Sequence, residues 1–68
     1  MNQITLVGPN RTILAGTNDI KKFNKFIDWL NEYNPTETLS LKSYHIKSEK
    51  RLSMAKRKAM KLGLTIFN

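Results

Sequence analysis

The chain has no cysteine and a single histidine, His45. Disulfides, thiolate nucleophiles and thiolate zinc sites are therefore excluded, and any stability has to come from packing. Acidic residues are scarce too: Asp19, Asp28, Glu32, Glu37 and Glu49 are scattered singly, and none stands close to His45 in sequence. No paired carboxylate, metal-ligand set or nucleophile–base arrangement is visible, so neither an enzyme nor a metal or cofactor site is expected. Of the three glycines, Gly8 and Gly16 lack phosphate-loop spacing and no lysine follows them in the required place. Lys, Asn or Pro interrupts every apolar stretch well short of a bilayer span, and MNQITLVGPN lacks the basic, then apolar, pattern of a secretory leader. The expectation is a soluble cytoplasmic protein without membrane contact.

What is abundant is positive charge. Twelve Lys and Arg against five acids give 68 residues a net charge of +7. That balance favours an anionic partner, nucleic acid first and an acidic protein face second. The 40% apolar content argues against a disordered basic tail. A chain of this length forms one domain, residues 1–68, near the lower limit for a self-sufficient core.

The charge is concentrated in SEKRLSMAKRKAMKLG, Ser48 to Gly63, where six cations stand against Glu49 and so supply +5 of the net +7. Leu52, Ala55, Ala59 and Leu62 recur at helical spacing and predict a helix packed on one face. Ser48 is the N-cap candidate, and Gly63 suits the left-handed position after the last turn. Lys50, Arg51, Arg57, Lys58 and Lys61 then share the opposite face with Met54, while Lys47 and Lys56 flank it. A solubilising face normally mixes signs so that i, i+4 pairs support the helix. This one has no acid among its cations, so a solvated surface and a polyanion-binding surface both remain open readings.

Gln3–Val7 and Thr12–Ala15 flank Gly8-Pro9-Asn10-Arg11 and predict a β-hairpin, with Ile4 and Leu6 on one face and Thr5 and Val7 on the other. Arg11 is expected to be exposed and structural. Thr17 or Asn18 is the expected cap of a helix from Asp19 to Tyr33, whose apolar stripe is Ile20, Phe23, Phe26, Ile27 and Leu30. Asn34-Pro35 ends it. Glu37–Ile46 is read as one strand: Leu39 and Leu41 point inward at first, and Tyr44 and Ile46 fall in the opposite parity, as a bulge near Lys42–Ser43 would produce. Leu64–Phe67 is the last strand. The expected fold is α+β, of order ββαβαβ, a small sheet with two helices packed on it and a right-handed parallel βαβ unit at the end. An exposed edge, at the hairpin or at Leu64–Phe67, offers strand pairing with a second copy and hence a homodimer.

The leading functional expectation is a small non-enzymatic nucleic-acid-binding module, with Lys47, Lys50, Arg51, Lys56, Arg57, Lys58 and Lys61 neutralising phosphates. Without aromatic rings among those charges, backbone contacts on a DNA duplex rank ahead of single-strand or RNA binding. Trp29, at the edge of the first helix stripe, is either a half-buried packing residue or a stacking surface for a base. The second expectation is a protein that docks on an acidic surface of a larger enzyme, with Trp29, Met54 and Met60 as apolar anchors. In size and in lysine and asparagine content the chain is similar to small phage and mobile-element proteins, which implies the latter mode of action.

Ser48-Glu49-Lys50, Ala59-Met60-Lys61-Leu62-Gly63 and Leu64-Thr65-Ile66-Phe67 follow one another as in the second half of a BRCT domain, which Leu39 to Phe67 resembles. The resemblance implies a phosphate held by Lys50 together with a hydroxyl–glycine pair after the first strand. Gly16 matches the glycine. Ala15 stands where the family has its hydroxyl, with Thr17 shifted from that place, and the family's last helix and its tryptophan have no counterpart.

Overall fold

Alternation in the first seventeen residues builds the centre of the sheet. In the computed structural model, which describes residues 1–33, 38–40 and 43–67, β1 (Asn2–Val7) and β2 (Thr12–Thr17) pair antiparallel, with Ile4 opposite Ala15 and Leu6 opposite Ile13. All four are buried, so every second residue faces the core as the period of a strand requires. The amide of Gly8 donates to the Arg11 carbonyl at 2.9 Å and closes the turn.

The first helix, α1 (Ile20–Tyr33), starts one residue later than its periodicity implied, and its cap is Asp19 rather than Thr17 or Asn18. Asp19 Oδ1 accepts from the amides of Lys21 and Lys22 at 3.0 and 3.3 Å, while Thr17 Oγ1 accepts from the amide of Asp19 at 3.1 Å. A carboxylate satisfies these orphan donors and also meets the positive end of the helix, which a neutral side chain cannot match. Phe26 and Leu30 are fully buried, and Phe23 and Ile27 pack against them. Ile20 is exposed instead of lining the stripe. At 100° per residue it lies about 90° from the centre of the Phe23–Phe26–Leu30 face.

The segment read as one strand is two. β3 (Thr38–Ser40) and β4 (Ser43–His45) pair antiparallel, with Thr38 opposite Tyr44 and Ser40 opposite Ser43, so β3 carries one extra residue at a bulge. The parity change that prompted the bulge expectation thus reflects chain reversal. Tyr44 and Ile46 do face the core. Asn34-Pro35, Glu37 and the inward placement of Leu39 and Leu41 fall outside the described residues and side chains.

After β4 come α2 (Glu49–Lys61) and β5 (Thr65–Ile66). The sheet order is β3-β4-β1-β2-β5. β4 lies parallel to β1, and β5 lies antiparallel to β2, so β4 and β5 run in the same direction with the whole hairpin between them. The fold is α+β, and the expected sequence of strands and helices holds apart from the divided third strand. The hairpin is central and not an edge; β3 and β5 occupy the edges.

Ile4, Leu6, Ile13, Ala15, Tyr44 and Ile46 from the sheet meet Phe26 and Leu30 of α1 and Leu52, Ala55 and Ala59 of α2 in one cluster. Both helices therefore cover the same sheet face. The hydroxyl of Tyr44 lies in this core, 2.9 Å from the Leu30 carbonyl and 3.1 Å from Asn31 Oδ1, which offsets its removal from water.

Candidate functional site

Both ends of α2 are fixed by local chemistry, and that fixes which side of it faces water. Ser48 is extended (φ −128°, ψ 148°) and its Oγ accepts from the Arg51 amide at 3.1 Å. At the other end Gly63 takes φ +93°, the amide of Gly63 donates to Met60, and that of Leu64 to Ala59. This pair of bonds is a Schellman stop, open to glycine because it needs no Cβ. Leu52, Ala55 and Ala59 are buried between these ends.

The face opposite them carries Lys50, Met54, Arg57 and Lys61, all exposed. At i, i+4, i+7 and i+11 they form a line along the helix about 16 Å long at 1.5 Å per residue. The other proposed cations divide around it. Arg51 is exposed but lies on the flank toward α1, its guanidinium carbon 5.6 Å from the centre of the Tyr33 ring. Lys58, half-buried, enters a cleft of about 260 Å³ with Lys25, Asp28, Trp29, Glu32 and Leu62. Lys56 and Met60 belong to the other flank, and Lys47 is exposed just before the cap.

Glu49, the one acid of α2, is held away from this line. Its Oε1 lies 2.7 Å from Arg11 Nε, and Arg11 Nη2 donates to Ser53 Oγ at 3.2 Å. The ion pair is open to water and contributes between about 0 and 1 kcal/mol. Its effect is positional, because it ties the hairpin turn to the first turns of α2. Arg11 thus has the exposed, structural place expected of it.

The feature that sequence reasoning missed is where Trp29 goes. On α1, Phe26, Trp29 and Tyr33 form a row of near-parallel rings, with centroids 6.2 and 4.7 Å apart. Trp29 also lines a second cleft of about 230 Å³ with Met54, Arg57, Lys58 and Lys61. The Tyr33 hydroxyl reaches the Met54 sulfur at 2.8 Å. An aromatic and a thioether therefore sit within the basic field, although no ring occurs among the charges in the sequence. Tyr44 is buried, so its ring is not available beside these charges. Of the three apolar anchors, Trp29 and Met54 come together, whereas Met60, six residues beyond Met54, turns about 120° away on the helix. The signal that could have paired Trp29 with α2 is its place one side-step off the α1 core stripe, which is where a second helix on the same sheet face must lie.

The phosphate pair implied by the BRCT resemblance is not brought together. Gly16 pairs with Gln3 and Thr65 at the open end of the hairpin. Lys50 follows Glu49, which contacts Arg11 at the turn end, five residues or about 16 Å of strand away. His45 opposes Val7 on the sheet face that carries no helix. Among the described residues no group of three or more His, Cys, Asp or Glu side chains converges on a metal-sized site, and no helix is long and apolar enough to cross a membrane. No protein-family model matches the sequence, and no curated protein or solved structure is significantly similar to the chain.

Proposed function

We propose that this protein is a small, non-enzymatic nucleic-acid-binding module of the cytoplasm that grips the phosphate backbone through the outer face of α2. The observation that carries the proposal is the line Lys50–Arg57–Lys61, exposed along one helix face, with the helix's sole acid, Glu49, on the flank and paired with Arg11. Like charges spaced three or four residues apart repel, and here no acid of the same helix offsets them. A polyanion lying along the line offsets that repulsion and releases its own counterions. Lys58 and Arg51 border the line on one flank and Lys56 on the other, with Lys47 beyond its start.

The test is the double reversal Arg57→Glu, Lys61→Glu. Both side chains are exposed, so circular dichroism and melting should stay near wild type while binding to an oligonucleotide duplex is lost. Retained affinity with an unchanged fold would remove this face from the interaction. A second reading is favoured by the Trp29–Met54 contact region, an apolar spot inside a basic rim that an acidic protein surface would also fit. Met54→Ala separates the two, because a large loss of binding belongs to a protein interface and a small one to phosphates.

A further inference from the structure

We infer that the cleft between α1 and α2 receives an unpaired base, so that the ligand of this surface is a single strand rather than a duplex. The inference rests on the phosphate-binding reading above and specifies its substrate. The cleft bounded by Trp29, Met54, Arg57, Lys58 and Lys61 has a volume of about 230 Å³. That is below the usual range for a cofactor or drug-sized molecule and suits a single planar ring. Its lining includes an indole, one side of which is stacked on the Tyr33 ring at 4.7 Å, and a thioether, both polarisable and both favourable against a π-system. Its rim is cationic, and two of the rim residues, Arg57 and Lys61, belong to the exposed line along α2. A strand following that line brings its sugars and bases alongside the cleft.

Charge sets the orientation. The adjoining cleft of about 260 Å³ shares Trp29 and Lys58 and is bordered on α1 by Lys25, Asp28 and Glu32, so its two cations and two carboxylates balance. The charged lining of the first cleft, Arg57, Lys58 and Lys61, is wholly cationic. The backbone is therefore directed to α2, while the carboxylates of α1 can accept hydrogen bonds from base amino groups. In a duplex the bases are paired and stacked, and none can leave the strand without an unstacking cost of a few kcal/mol. A charged track beside an aromatic residue is the arrangement by which proteins hold single strands, where each base–aromatic contact contributes about 1–3 kcal/mol. The same track predicts a salt slope of about 0.7 per phosphate on a single strand against about 0.9 on a duplex.

The chain contains one tryptophan, so the cleft reports on itself. Intrinsic fluorescence of the wild-type protein is titrated with a mixed-sequence single-stranded DNA, its duplex, linear polyphosphate and poly-glutamate, while anisotropy of labelled ligands gives affinities in parallel. The expected result is saturable quenching and a spectral shift with the single strand, about tenfold or more tighter binding than to the duplex, and no change of Trp29 emission with polyphosphate. Single strand and duplex binding equally with unchanged emission would overturn the cleft assignment and leave the phosphate reading standing. Quenching by poly-glutamate as strong as by DNA would overturn it in favour of an acidic peptide. Absence of binding to every oligonucleotide would overturn both. As a second measurement, Trp29→Leu, checked for folding, should reduce single-strand affinity to the duplex level and leave duplex affinity unchanged.

Discussion

Replacing Gly8 by alanine sets two effects of opposite sign against each other, and the geometry decides between them. Gly63 alone among the glycines has a positive φ, so alanine meets no backbone strain at position 8. By restricting the unfolded chain the change would on its own stabilise the protein by about 0.4–1 kcal/mol. A Cβ at this position, however, falls 2.5 Å from Leu52 Cδ2 and 3.1 Å from the Arg11 carbonyl oxygen. Carbon atoms prefer about 3.5–4.0 Å, so an overlap of about 1 Å has to be relieved. Leu52 is fully buried and has nowhere open to move. Overpacking of this kind costs about 1–3 kcal/mol, which exceeds the entropic gain. Gly8→Ala should therefore lose about 1–2 kcal/mol, seen as a fall in melting temperature of about 5–15 °C for a domain this small. Leu52→Val, which has no δ carbon, should cost about 1 kcal/mol alone and remove the clash. The double variant should then melt close to Leu52→Val, with a coupling of about 1 kcal/mol or more in urea denaturation followed by circular dichroism. Additivity within about 0.5 kcal/mol would refute the contact.

Two further substitutions test the elements that hold α2 and the core. Ser48→Ala removes the Oγ that accepts from the Arg51 amide and should cost about 1 kcal/mol in the same denaturation assay, whereas Ser48→Asp should restore stability. Tyr44→Phe leaves the ring in place but strips the hydroxyl from the Leu30 carbonyl and Asn31, and should cost about 1–2 kcal/mol with an unchanged denaturant slope.

The parts of the fold that depend on short-range chemistry were legible in the sequence. Ser48 and Gly63 bracket α2 because one side chain and one missing Cβ satisfy orphan backbone groups, and Ile4, Leu6, Ile13 and Ala15 reveal the buried face by alternation alone. Parity was ambiguous at residues 37–46. A bulge and a reversal both flip it, and only the neighbouring strand β1, some thirty-eight residues earlier by the register Thr5–Ser43, decides between them. The same limit applies to the candidate site. The cations of α2 lie within twelve residues of one another in sequence, but Trp29 joins them through the packing of α1 beside α2 on a common sheet face, which no local pattern encodes. Arg11 is the converse case. It is a turn residue in the sequence, and in the folded chain it pairs with Glu49 and ties the hairpin turn to α2.

The central claim, that the outer face of α2 holds phosphates, is tested most directly by the salt dependence of binding to a random-sequence oligonucleotide. If Lys50, Arg57, Lys61 and Lys58 each neutralise one phosphate, duplex affinity should fall by about 3.6 log units per decade of salt, or about 100-fold between about 50 and 200 mM. The neutralising pair Arg57→Gln, Lys61→Gln should remove about half of that slope. A flat salt response, or no binding at about 50 mM, would contradict the account.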